Sequence, residues 1–80
     1  MEEAVIENRL LEALIPDLPG LQRVERREGE FGQELVLVFV DGSQANIPIL
    51  GGMPAPERPE SPFGRTILKA WWRAKAEELS

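Results

Sequence analysis

Residues 35–50 read LVLVFVDGSQANIPIL, and the fold turns on how this stretch doubles back on itself. Residues 35–40 are apolar throughout, the pattern of a central strand with both faces at least partly covered. Residues 44–50 instead alternate Ala45, Ile47 and Ile49 with Gln44, Asn46 and Pro48, as a half-buried strand does. A two-residue Asp41-Gly42 turn would set Phe39 against Gln44 and Leu37 against Asn46, mixing apolar with polar. A three-residue loop of Val40, Asp41 and Gly42, with Gly42 left-handed, sets Leu37 opposite Ala45 and Leu35 opposite Ile47. This second register is the one expected, because it gathers Leu35, Leu37, Phe39, Ala45, Ile47 and Ile49 on one face. The other face then carries Val36 and Val38 beside Gln44, Asn46 and Pro48. Proline cannot donate to a ladder, so Pro48 places the strand 44–50 at a sheet edge.

Upstream, residues 21–28 form a polar strand with two apolar anchors, Leu21 and Val24. Before it, residues 2–15 read as an amphipathic helix, with Ile6, Leu10, Ala13 and Leu14 at i, i+4, i+7 and i+8. Pro16 stops that helix and Pro19-Gly20 turns the chain. Downstream, residues 50–62 hold four prolines and form an extended connection, long for so small a domain. Ser61 followed by Pro62 is a helix cap followed by proline at the first helical position, opening a last helix over 62–79. The expected fold is α+β: a three-stranded antiparallel meander, strands 21–28, 34–40 and 44–50, between an N-terminal and a C-terminal helix. The order is α-β-β-β-α, one small domain over residues 1–80, and nothing in it resembles a particular family.

Composition narrows the chemistry. The 80 residues contain no cysteine, histidine or tyrosine, which removes disulfides, thiolate and imidazole metal sites, and histidine acid–base catalysis. None of the three serines, Ser43, Ser61 and Ser80, lies in a nucleophile elbow. The expectation is a non-catalytic chain with no cofactor and no metal. No apolar run approaches the ~20 residues of a membrane span. The acidic start, Met1-Glu2-Glu3, is not that of a signal peptide, so the cytoplasm is the expected compartment and no membrane contact is foreseen. The net charge of −5 disfavours direct binding to nucleic acid. Charge is uneven, however: residues 1–20 carry a net −4 and residues 65–80 a net +2.

Two surfaces are candidates for a contact. On the last helix Arg65, Lys69 and Arg73 recur every four residues and form one basic stripe beside Trp72, while Trp71 falls on the apolar arc. The stripe reads either as a contact surface anchored by Trp72, or as a solvated face with Trp72 capping the core. The second candidate is the sheet face of Val36 and Val38 with Gln44 and Asn46. If both helices lie on the opposite side, it becomes an apolar patch ringed by those polar residues, Arg23 and Glu25; if one helix covers each face, it vanishes. The acids of the first helix, Glu2, Glu3, Glu7 and Glu12, read as a solvated row. The sequence therefore favours a small protein-binding module, an adaptor or inhibitor of a larger protein or nucleoprotein complex. Small acidic single domains are common among phage and mobile-element inhibitors of host machinery, a setting this composition fits. The other readings are a nucleic-acid accessory protein using the basic helix, and a homodimer joined through the valine face or the edge of 44–50.

Overall fold

The hairpin register follows the loop argument. In a computed structural model that describes residues 5–30 and 32–79, Leu37 lies opposite Ala45 and Leu35 opposite Ile47. Gly42 is left-handed at φ 92° and donates its N–H to the Phe39 carbonyl at 3.0 Å. The Phe39 N–H in turn bonds the Ser43 carbonyl at 2.9 Å, closing the loop. The Asp41 carboxylate accepts from the Ser43 N–H at 2.9 Å and from its hydroxyl at 2.7 Å, and these bonds hold its pKa below the usual range.

The elements are α1 (Val5–Leu14), β1 (Leu21–Gly29), β2 (Gly32–Phe39), β3 (Gln44–Leu50), β4 (Met53–Pro54) and α2 (Pro62–Leu79). Residues 2–4 of the expected first helix lie outside the described residues. The class is α+β with an antiparallel sheet, but the sheet has four strands in the order β1-β2-β3-β4. The three-stranded expectation is corrected by β4, in which Pro54 pairs with Ile49 and Met53 with Leu50. Two residues within a proline-rich run carry no periodic pattern that could announce a strand. The edge assignment of 44–50 is corrected with it. The Pro48 carbonyl accepts the Ala55 N–H at 2.8 Å, on the β4 side. Amide and carbonyl of one antiparallel residue point the same way. The missing Pro48 donor is therefore on that side, and pairing with β2 loses nothing.

Strand β1 contains a bulge. Leu21 pairs with Phe39 and Arg23 with Val38, leaving Gln22 as the extra residue. This is why Leu21 and Val24, three apart, both reach the core: Leu21 and Val24 are each 8% exposed. Both helices pack on that same face. Ile6, Leu10 and Leu14 of α1 and Ile67, Ala70, Trp71 and Ala74 of α2 join Leu35, Leu37 and Ile47 in one cluster. The helices run antiparallel, with Arg9 beside Glu77 at 3.8 Å. Glu7 is no part of a solvated row: its side chain is only 13% exposed and accepts from Arg26 Nε at 3.3 Å, tying α1 to β1.

The start of α2 is built as expected from Ser61-Pro62. The Ser61 hydroxyl accepts the Gly64 N–H at 3.0 Å and donates to the Arg58 carbonyl at 2.7 Å. Gly64 is buried, and its place is set by the connection rather than by its own backbone angles. A Cβ there would meet Pro59 Cα at 2.8 Å and Pro59 O at 2.9 Å, and would collide with the Arg58 carbonyl. Glycine-to-alanine in an open helix stabilises by up to about 1 kcal/mol. Here the sign should reverse: Gly64→Ala is expected to destabilise by about 2–3 kcal/mol through overpacking. Urea unfolding of the variant checks this, and an unchanged or raised midpoint would refute the close approach.

Candidate functional site

With both helices on one side, the sheet face of Val36 and Val38 has no helix over it. It is nonetheless not an apolar patch: Val36 is 0% and Val38 6% exposed. This corrects the expectation of a greasy bare face, and the register explains it. Val36 lies between Glu25 and Asn46, and Val38 between Arg23 and Gln44. Long polar side chains close over the valines from both neighbouring strands, laying their methylenes on the apolar surface with their charged ends in water. Arg23 and Arg27 both bond the Glu25 carboxylate, Arg27 Nε donating to Oε1 at 2.8 Å. On the other side Asn46 Nδ2 donates to Glu34 Oε1 at 2.9 Å. Gln44 and Asn46 are exposed, so this surface presents amides and ion pairs to solvent and the valines serve as a second, thin core.

The bonds from Arg23 and then Arg27 hold the Glu25 carboxyl below its usual pKa. The bonds from the Ser43 hydroxyl and N–H hold the Asp41 carboxyl low as well. Depressed carboxyls suit ion pairing and turn formation rather than proton donation. Among the described residues no group of three or more His, Cys, Asp or Glu could hold a metal ion. No helix among them is long and apolar enough to cross a membrane.

The helix α2 divides its two indoles. Trp71 is 5% exposed, inside the core, with the Lys75 ammonium 5.8 Å from its ring centre. Trp72 is 61% exposed. The core side of α2 is defined by Ile67, Ala70, Trp71 and Ala74. At 100° per residue Trp72 points about 150° away from the middle of that arc, on the outer face and not at the core rim. Arg65, Lys69 and Arg73 are exposed beside it. The basic stripe and the exposed indole are thus brought together, while the valine face becomes a separate surface on the far side of the sheet. Lys69 and Arg73 border a cleft shared with Ala13 and Asp17 of the α1 end. Arg73 also borders a second cleft with Glu12 and Glu77. Among the described residues the side chains of Arg65, Lys69 and Arg73 form no ion pair and no hydrogen bond, whereas Lys75 pairs with Glu78 at 3.1 Å.

Two features escape a reading of the sequence: the first has a helical spacing but nothing in it tells its exposure, and the second depends on the path of a loop. The half-buried Leu68, one helical turn before Trp72, and the exposed Ala76, one turn after it, extend the indole into a ridge. An open groove of about 280 Å³ separates Asn46 and Ile47 of β3 from Pro56, Arg58 and Phe63. It exists because the connection leaves the sheet after Ala55, and only the path of that loop could reveal it.

No protein-family model matches the chain, and neither a curated protein nor a solved structure matches it.

The roof over Val36 has a pH signature. A carboxyl whose folded pKa is depressed adds stability above its unfolded pKa, and this is lost as pH falls through the folded value. Glu25→Gln should therefore lower stability at neutral pH, and the gap to the parent should close on acidification below the ordinary carboxylate range. Denaturant midpoints for both chains across that range check it. A gap independent of pH would show that the pairing with Arg23 and Arg27 does not stabilise the fold.

Proposed function

We propose that this chain is a non-catalytic protein-binding module, an adaptor or inhibitor that engages a larger protein or nucleoprotein complex through the outer face of α2. The observation that carries the reading is Trp72, 61% exposed on a helix whose other indole is buried. An exposed tryptophan gains little from folding and much from association, and tryptophan and arginine are the residue types most often found at the centre of binding interfaces. The three cations beside it have no partner among the described residues. They supply the charge-dependent part of recognition, which acts mainly on encounter rate and choice of partner.

Direct nucleic-acid binding is the weaker reading. The stripe covers three residues of one helix, the roofed sheet face balances Arg23 and Arg27 against Glu25 and Glu34, and the whole chain is at −5. A homodimer through β3 is weaker still, because β4 and Ala55 already occupy its edge from Pro48 onward.

The test is capture from the source organism's lysate on the tagged chain, split into nuclease-treated and untreated halves. Parent is compared with Trp72→Ala and with a triple variant reversing Arg65, Lys69 and Arg73. The expected result is one stoichiometric protein that survives nuclease and is lost with Trp72→Ala, while the melting temperature stays within about 2 °C. Retention that disappears with nuclease would overturn the proposal in favour of nucleic acid. Capture indifferent to both variants would remove α2 as the site.

A further inference from the structure

Resting on that reading of α2, we infer that the partner element is an acidic amphipathic helix, with an apolar seam bordered by Asp and Glu. The shape argument comes from the ridge. Leu68, Trp72 and Ala76 recur at i, i+4 and i+8, which is the row that one helix offers to the grooves of another. Trp72 stands in the middle, 61% exposed, with the half-buried Leu68 and the small Ala76 one turn to either side. A large side chain between a half-buried and a small one is a knob, and the surface that receives it is a hollow between side chains of a facing helix.

The charge argument comes from the flanks. Arg65, Lys69 and Arg73 run along one side of the ridge, spanning about 12 Å at 1.5 Å per residue. Lys75 stands on the other side, already paired with Glu78. Facing groups are Glu12 on α1 and Asp17 in the turn after it, which border the same clefts as Arg73 and Lys69 without forming an ion pair with them. Three cations thus flank an exposed indole with their pairing capacity unused among the described residues. A partner with carboxylates beside an apolar seam would satisfy the cations and bury the indole in one contact. An anionic lipid surface would satisfy the cations too. However, the ridge offers it a single large side chain, where a helix lying on lipid needs a broad apolar face to bury.

The experiment uses the full chain and four probes. They are a synthetic 18-residue helix with leucine and alanine on one face and glutamate on both flanks, the same peptide with lysine flanks, vesicles one-third phosphatidylserine, and a short DNA duplex. Binding is read by calorimetry and by the emission of Trp72, whose contribution is isolated by comparison with Trp72→Ala. The glutamate-flanked peptide is expected to bind, to blue-shift the emission, and to weaken about fivefold or more between low and high salt. Trp72→Ala should weaken it about tenfold or more, and reversal of Arg65, Lys69 and Arg73 should abolish it. Circular dichroism of each variant confirms that the fold is retained. No binding of the glutamate-flanked peptide, equal binding of the lysine-flanked one, or binding to the vesicles or the duplex would each overturn the inference. If lysate capture still depends on Trp72 while the acidic peptide fails, the acidic partner is wrong and the binding module stands. If capture is indifferent to Trp72, both fall.

Discussion

Strand β2 is apolar on both of its faces, and everything else in the molecule answers to that. Leu35 and Leu37 on one side and Val36 on the other are all at 1% exposure or less. The described residues form two helices. Both go to the leucine side, where the larger side chains give the greater return in buried apolar area. On the valine side no helix lies over the sheet, and Glu25 pairs with two arginines and Glu34 with Asn46. The short, β-branched valines make this feasible, since an arginine or glutamate arm from a neighbouring strand can reach across them. The layer of helices is then free to turn its outer surface to a partner without exposing the core.

Where local chemistry decides the structure, the sequence could be read in advance. Gly42, the alternation of 44–50 and the apolar run before them sufficed for the hairpin register, because a slip of one residue would have turned three isoleucine and alanine side chains to water. The cap at Ser61 and the stop at Pro16 were legible for the same reason. Features that depend on distant partners were not. Strand β4 is two residues long and exists because Ile49 and Leu50 present backbone groups to it. The bulge at Gln22 reconciles a three-residue spacing that strand periodicity alone cannot accommodate. The roof over Val36 needs three strands in register before its ion pairs can form. Glu7 shares the spacing of the solvated acids of its helix, and only the placement of Arg26 on the helix-covered side of β1 sets it apart.

For the candidate site the same division holds. Helical spacing placed Arg65, Lys69 and Arg73 on one stripe and put Trp71 inside, and the structure keeps them there. Of the two readings of Trp72, the one in which it caps the core does not hold, because the buried arc is made of Ile67, Ala70, Trp71 and Ala74 and Trp72 stands on the outer face. The role of the face remains a matter of what it meets, and that depends on a surface outside this chain.

The proline-rich strip beside β3 has a further consequence, for what the sheet does not do. An open row of amides and carbonyls invites strands from other molecules, and unprotected edges are where small β proteins aggregate. Here the β4 edge is two residues long and includes Pro54, with Pro56 two residues on and the Ala55 N–H between them already given to Pro48. Neither proline has an N–H to offer an incoming strand, and the unpaired part of β3 before them is shorter still than most adhesive segments. The opposite border, β1, is dense in arginine and glutamate, which oppose the desolvation that such stacking requires. Both flanks of the sheet are thus guarded against fibril growth by residue type alone. Such a protein can remain dispersed at high concentration while keeping an exposed indole on its helical side.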